Sequence, residues 1–347
     1  MAAAEQNGGR MARSVRPSLP DALPGLLVVV VLGGAATGLG RLAPVVGAPV
    51  IAVLLGLATR FILNPGAWVV RGLAVGSRTP LQLAIVLLGA GLGLGTVLRV
   101  GASSLPVMLG TLAVALVLGR VVGRALHIEA PLRTLVTVGT GICGASAIAA
   151  VASVVEVEAA DLAYAISTIF VFNIAAVMVF PLIGHALGLG QQSFGLWAGT
   201  AVNDTSSVVA AGYAYGHAAG AHAVVVKLTR TTLIVPVVMV LAALEHRRRP
   251  PEEASRRLRW TRLVPPFLVF FLVASAANSF GLIGRTAAHD LGQLAIFLIA
   301  VALAAVGLST QPRRIAATGP RPLVLGAILW VAVASASLLL QAVTRQL

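Results

Sequence analysis

The sequence predicts an all-α polytopic membrane protein, and its composition and the length of its apolar runs are the observations that predict it. Of the 347 residues, 58% are hydrophobic and 10% are charged, whereas a soluble domain has about 45–50% apolar and about 25% charged residues. Several apolar runs approach or exceed the roughly 20 residues with which a helix crosses about 30 Å of hydrocarbon. These runs lack the apolar–polar alternation of membrane β-strands, so helices are expected.

Eleven apolar segments follow one another along the chain, and short polar connections separate them. They lie at about 24–40, 47–63, 79–97, 105–125, 132–155, 160–188, 193–217, 220–244, 263–284, 290–310 and 320–343. If the segments at 132–155 and 193–217 are re-entrant hairpins, eleven segments give nine crossings. We therefore expect about 9–11 transmembrane helices.

The distribution of charge predicts the topology. The formal net charge is +14, but the arginines lie mostly in short connections between apolar runs, which is typical of signals at the cytoplasmic face of a membrane rather than of nucleic-acid binding. With these connections in the cytoplasm, the N-terminus is inside. Residues 1–23 are then a cytoplasmic arm, and residues 245–262 are a cytoplasmic linker between a first membrane part at 24–244 and a second at 263–347.

Two pairs of internal repeats are nested within one another. The outer pair is "QLAIVLLGAGLGL" from Gln82 and "QLAIFLIAVALAA" from Gln293; the inner pair is "GTGICGASAIAA" from Gly139 and "GTAVNDTSSVVA" from Gly199. This order predicts inverted repeats, which are common in secondary transporters with a substrate site where the halves meet. Small and polar residues interrupt both inner copies, which predicts two interrupted or re-entrant helices that meet near the membrane midplane.

Three charged residues fall near the middle of apolar segments rather than at their ends. Asp204 lies in the second inner copy, and a charged side chain near the bilayer centre costs at least about 2.5–3.5 kcal/mol. We expect Asp204 to face a cavity, to pair with a cation or to take up a proton. Lys227 and Arg230 are three residues apart, hence on one helix face. Lys227 is the only lysine among 25 basic residues.

These residues together predict a site for a small anion. Lys227 and Arg230 supply positive charge, and Asp204 balances one of the two cations. The other substrate-binding groups expected from the second break are hydrogen-bond donors, namely Asn203, Thr205, Ser206 and Ser207. The first break is expected to contribute mainly backbone, through Gly141, Cys143, Gly144 and Ser146.

Structural roles are the alternatives to an anion site. Small residues also allow close helix packing, and a buried Asp204–Arg230 ion pair could serve only to fix the packing. Such pairs give little net stability compared with apolar packing, which favours a functional role. Asn173 is expected to hydrogen-bond a neighbouring helix.

Several motifs resemble the YeiH-type family of proposed sulfate exporters, over about residues 24–345. They are "GTGICGASAIAAVASVV", "NDTSSVVAAGYAYG", "KLTRTTLIVP" and the late "GLST" followed by "RPLVLG". The resemblance implies the inverted repeats and crossed broken helices of the bile acid, arsenite and riboflavin transporters. It also implies a secondary carrier of a small anion in the bacterial inner membrane. Asn203 stands where the family often has His, which changes the hydrogen bonding beside Asp204.

Two other functions compete with anion transport. A cation/proton antiporter would use the Asn203–Asp204 pair. An intramembrane enzyme would use Ser146 of "GASA" as a nucleophile, but the sequence offers no mid-helix His as its base, so no enzyme is expected. The chain also lacks a phosphate-binding loop of the G-x-x-x-x-G-K-[ST] type, so no cofactor is expected. Transport is then expected to be coupled to an ion gradient, with Na⁺ and H⁺ as the candidate ions, or to the membrane potential. A homodimer is an open alternative to a monomer.

Overall fold

The chain is helical throughout the part that the structure describes. The computed structural model describes residues 19–42, 47–63, 67–246, 265–309 and 319–347. Within them lie fourteen helices: α1 Leu19–Leu42, α2 Gly47–Leu63, α3 Ala67–Gly89, α4 Leu94–Ala125, α5 Ala130–Gly141, α6 Ala145–Val151, α7 Ala159–Ala186, α8 Gln191–Ala201, α9 Thr205–Tyr215, α10 His217–Thr232, α11 Ile234–His246, α12 Pro266–Ser279, α13 Arg285–Ser309 and α14 Pro320–Val343. The predicted arm at 1–23 and linker at 245–262 fall almost entirely outside the described residues.

Six helical stretches are long and apolar enough to cross a membrane. They are Leu23–Gly40, Leu94–Ala125, Ala159–Ala186, His217–Glu245, Arg285–Ser309 and Pro320–Val343. Shorter apolar helices lie at Gly47–Ile62, Thr79–Gly89 and Pro266–Ser279. Many large apolar side chains on these helices are exposed, as they would be against lipid. The expected polytopic α-helical membrane protein is therefore confirmed.

Both predicted helix interruptions are present. The first separates α5 from α6 at residues 142–144, and the second separates α8 from α9 at residues 202–204. In the first break, Gly144 has φ +67° and ψ −130°, a conformation that glycine adopts far more readily than other residues. In the second break, Val202 and Asp204 are extended, and the helix resumes at Thr205.

A further interruption separates α10 from α11 at Leu233, where the sequence predicts one continuous segment. Pro236 lies in the first turn of α11. Proline has no backbone N–H and its ring clashes with the carbonyl group four residues earlier, here that of Thr232. The segment is therefore divided into one helix that ends before the proline and a second helix that has the proline in its first turn.

The helices pack in two groups. One apolar core joins α1, α2 and α3 with α12 and α13, and buried residues of α9 and α10 also belong to it. In this group, a Cβ atom on Gly56 would lie 2.3 Å from the carbonyl oxygen of Ala304, so glycine lets the backbones of α2 and α13 touch. The second group holds α4 to α11 with α14, which packs against α4, α5, α7 and α8. The helices that follow the predicted linker contribute to both groups, since α12 and α13 belong to the first and α14 to the second. The predicted division of the membrane part at that linker stays a prediction.

The outer repeat falls on helices that pack together. Gln82 lies in α3 and Gln293 in α13, which are neighbours in the first group. Their downstream partners α4 and α14 are neighbours in the second group. Inverted symmetry between the two halves stays a prediction.

Candidate functional site at the two helix breaks

The two helix breaks meet inside the second helix group. A Cβ atom placed on Gly144 would lie 3.5 Å from the Cβ atom and 3.6 Å from the Cα atom of Asp204. The backbone of the first break therefore packs directly on the second. Ile142, Cys143, Val202 and Asn203 are all buried there, whereas Asp204 is half-buried.

Lys227 of α10 joins the two breaks. Its Nζ atom donates hydrogen bonds of 2.8 Å to the carbonyl oxygens of both Ile142 and Val202. Ile142 follows α5 and Val202 follows α8, so one carbonyl comes from each break. The last carbonyl groups of a helix lack intrahelical partners and carry a partial negative charge. The ammonium group, which is fully buried, satisfies two of them.

Arg230, one turn further along α10, repeats this arrangement. Its Nη2 atom donates a 2.6 Å hydrogen bond to the carbonyl oxygen of Gly141, the last residue of α5. Its Nη1 atom donates to the carbonyl oxygen of Thr200, near the end of α8. Arg230 is also fully buried. Both cations of α10 therefore bind the carboxyl ends of the same two helix halves.

Asp204 caps α9 instead of pairing with either cation. Its Oδ2 atom accepts a 2.9 Å hydrogen bond from the backbone N–H of Ser206 and a further bond from the Ser206 hydroxyl. The backbone N–H of Asp204 donates to Oδ1 of Asn173, at 3.1 Å. Among the described residues, neither Lys227 nor Arg230 forms an ion pair with Asp204.

Asp204 was expected to balance one of the two cations, and an Asp204–Arg230 ion pair was the structural alternative. Within the described residues, Asp204 makes no direct contact of either kind and binds Ser206 instead. The physical reason is that each break frees carbonyl groups at one helix end and N–H groups at the next. Cations are stabilised at the carboxyl end of a helix and a carboxylate at the amino end. Each charged side chain thus binds the helix end that carries the opposite partial charge. The expected hydrogen bond between Asn173 and a neighbouring element is present, with Oδ1 of Asn173 as the acceptor.

Some buried polar atoms at the crossing have no hydrogen-bond partner in the described part of the chain. They are Nδ2 and Oδ1 of Asn203 and Nε of Arg230. Asn203 is only 1% exposed, and leaving a buried polar group unsatisfied costs about 1–3 kcal/mol. Unused hydrogen-bonding capacity is therefore concentrated in the second break, beside the two cations.

The remaining predicted residues differ in how deeply they are buried. Cys143 is a buried free thiol, and Ser207 is buried near the start of α9. Thr205 is half-buried. Ser146 of α6 is exposed, so the structure does not bring it together with the buried groups.

Sequence analysis missed a polar chain that supports the crossing from α14. The hydroxyl groups of Thr200 and Ser337 are 2.7 Å apart, and Nε2 of Gln341 donates to the Ser337 hydroxyl at 3.2 Å. All three residues are fully buried. Ser337 and Gln341 are four residues apart, and this spacing puts them on one helix face. Two polar residues at that spacing in an apolar segment were the signal available in the sequence.

A family model described as conserved hypothetical protein 698 matches residues 24–326 of the chain. A UPF0324 membrane protein of Streptococcus pyogenes serotype M18 is 40% identical over 327 residues, which cover 92% of this chain and 96% of the relative. A UPF0324 membrane protein of Clostridium tetani is 39% identical over 330 residues, with 91% and 96% coverage. One from Streptococcus agalactiae serotype V is 37% identical over 331 residues, with 93% and 98% coverage.

These relatives are similar to this chain along almost their whole length, and their names describe membrane proteins. The family match covers both helix breaks and the two cations of α10. The chain is therefore a multi-pass membrane protein that belongs to the conserved hypothetical protein 698 family, whose relatives are named UPF0324 membrane proteins.

Proposed function

We propose that the protein is a secondary transporter of a small anion, which binds by alternating access at the crossing of the two helix breaks. The observation that carries this proposal is the charge buried there. Lys227 and Arg230 are fully buried, and in the described residues their partners are carbonyl groups rather than carboxylates.

The charges at the crossing leave an excess of positive charge. Two helices end there and two begin, so their dipoles, about −0.5 charge at each carboxyl end and about +0.5 at each amino end, cancel. The side chains of Lys227 and Arg230 contribute two positive charges and that of Asp204 contributes one negative charge, so one net positive charge remains. Such a charge in a medium of low dielectric constant attracts an anion strongly, whereas it repels a cation.

The unpartnered groups suit the same ligand. The amide of Asn203 and Nε of Arg230 can both donate hydrogen bonds to anionic oxygen atoms. The resemblance to the proposed sulfate exporters favours sulfate or a sulfonate as the substrate. The expected cellular setting is the bacterial inner membrane with the N-terminus in the cytoplasm, and the oligomeric alternatives are a monomer and a homodimer.

Asn203 gives the sharpest test because its side chain makes no hydrogen bond to any residue that the structure describes. We expect Asn203→Leu to keep or raise the thermal stability of the purified protein while it abolishes uptake of labelled sulfate or a sulfonate into proteoliposomes. Thr168→Val is the matched control, because Thr168 of α7 also carries a buried, unpartnered hydroxyl. This control should transport like the wild type.

The outcome that contradicts the proposal is normal anion uptake by Asn203→Leu. Uptake that follows Na⁺ and ignores every added anion would favour the cation/proton antiporter instead. The assay therefore runs an anion panel with and without a Na⁺ gradient.

A further inference from the structure

A second site, distinct from the helix breaks, lies in a groove between α4, α5 and α11. The cavity has a volume of about 500 Å³, within the range of about 300–1,000 Å³ that is usual for small-molecule sites. Its walls are apolar, and several of the wall residues face outward: Leu109 is 52%, Leu116 39% and Val240 59% exposed. The groove therefore opens towards the hydrocarbon rather than into the protein.

One end of this groove is strongly basic. Arg120 of α4 and Arg133 of α5 both line it, and Arg124 lies close enough for its charge to act on Arg133. None of the three arginines forms an ion pair within the described residues. Within the described part of the chain, the guanidinium group of Arg133 donates one long hydrogen bond of 3.3 Å, to the carbonyl oxygen of Ile128.

The arginines and the apolar walls are segregated along the groove. Helices α4 and α5 run antiparallel, since Gly123 contacts Arg133 whereas Gly141 contacts Leu112. Arg120 and Arg133 therefore lie towards the short connection between α4 and α5, and Leu112 lies towards the first helix break. Thr137, between these ends, adds a buried hydroxyl oxygen without a hydrogen-bond partner in the described chain.

We infer that this groove binds an anionic phospholipid. Its phosphate would lie at Arg120 and Arg133, and an acyl chain would lie along Leu116 and Val240. Basic pockets between transmembrane helices bind anionic head groups in this way. A small anion alone would leave the apolar walls uncovered. A lipid without net charge would supply no counter-charge to three arginines that form no ion pair within the described ranges. The inference does not depend on the proposed transport function.

The experiment measures lipid binding to the full-length protein in detergent by native mass spectrometry, with thermal stability as a second measurement. The probes are phosphatidylglycerol, phosphatidylcholine with the same acyl chains, and inorganic phosphate. We expect retention and stabilisation by phosphatidylglycerol alone. Each arginine removed should weaken binding about five-fold, so Arg120→Ala/Arg133→Ala should weaken it about 25-fold.

Arg99→Ala is the matched control, because Arg99 is an exposed arginine on the same helix, 21 residues from Arg120 and thus about 30 Å away. It should bind the lipid like the wild type. Leu116→Trp should block binding by filling the groove while it leaves every arginine in place.

Equal binding of phosphatidylcholine overturns the inference, as does equal loss in Arg99→Ala. Stabilisation by inorganic phosphate to the same extent would show that the arginines hold an anion and not a lipid. If the double variant does not fold, the single variants and Leu116→Trp decide the question.

Discussion

The ammonium group of Lys227 donates a 2.8 Å hydrogen bond to the carbonyl oxygen of Ile142, which lies 85 residues earlier in the chain. With the second bond, to Val202, the ammonium occupies a position between two carboxyl ends of broken helices. In secondary transporters such ends coordinate the coupling cation. Here the side chain itself provides the cation, so we expect that substrate binding needs no Na⁺.

Replacement of Lys227 by alanine should therefore create a requirement for an added cation. Lys227→Ala leaves two buried carbonyl groups unsatisfied, at about 1–3 kcal/mol each, and opens space beside them. We expect a lower unfolding temperature that Na⁺ or methylammonium restores in a saturable way. The measurement is thermal unfolding in these salts against N-methylglucamine.

Two comparisons control this experiment. Lys227→Met fills the space with an uncharged side chain, so it should be destabilised without being rescued by cations. Equal stabilisation of the wild-type protein and Lys227→Ala by Na⁺ would contradict the expectation.

Gly144 should be intolerant of substitution. Its φ of +67° with ψ of −130° costs other residues about 1–3 kcal/mol, and a Cβ atom would also touch Asp204. We expect Gly144→Ala to lower the unfolding temperature and to reduce transport. Gly281→Ala separates the two causes, since Gly281 has φ +72° with nothing within 4 Å of the added Cβ. A loss of transport in both variants alike would argue against a special role for the contact between the breaks.

Replacement of Asp204 by asparagine should leave the stability of the protein almost unchanged but should impair transport. Asparagine caps helices about as well as aspartate, so we expect Asp204→Asn to unfold within about 0.5 kcal/mol of the wild type. Removal of the Asp204 carboxylate raises the net charge at the crossing. Anion binding should become about ten-fold tighter and turnover slower, because release is then harder.

Binding and turnover are measured separately for Asp204→Asn, by calorimetry and by uptake into proteoliposomes. Asp204→Ala serves as the comparison, since it loses the cap as well and should be destabilised by about 1 kcal/mol. Weaker anion binding in Asp204→Asn would refute this account of the charge balance.

Ser337 should matter more than its neighbour Ser335. Ser337→Ala removes the hydroxyl group bound to both Thr200 and Gln341, which should cost about 1–3 kcal/mol because these partners are buried. Ser335 is exposed on the same helix, so Ser335→Ala should unfold like the wild type. Chemical or thermal unfolding of the two variants in parallel measures the difference. Equal stabilities would show that the hydrogen bonds from α14 do not stabilise the crossing.

The helices and their interruptions were largely predictable from the sequence, because both depend on local composition. Long apolar runs specify membrane helices, and the small and polar residues around Gly144 and Asp204 mark the two breaks. The break at Leu233 was missed, although Pro236 was its available signal.

The bonding partners within the site were not predictable in the same way. Charge alone suggested that Asp204 balances one of the two cations and left an Asp204–Arg230 pair as an alternative. The breaks instead expose backbone groups that satisfy each side chain separately. Which carbonyl oxygens Lys227 reaches depends on how α5, α8 and α10 pack, and a pattern of residue types does not contain that information. The sequence therefore identified most of the residues that meet but not the bonds between them.

The four hydrogen bonds from Lys227 and Arg230 have a consequence for movement. Each cation holds one carbonyl group from each half of the crossing. A motion that slid one break past the other would have to rupture at least two of these buried bonds, namely those from both cations to one of the two halves. A motion that carried α5, α8 and α10 together would rupture none of them. We therefore expect the crossing to move as one rigid body, so that the proposed alternating access would come from sliding against α1–α3, α12 and α13.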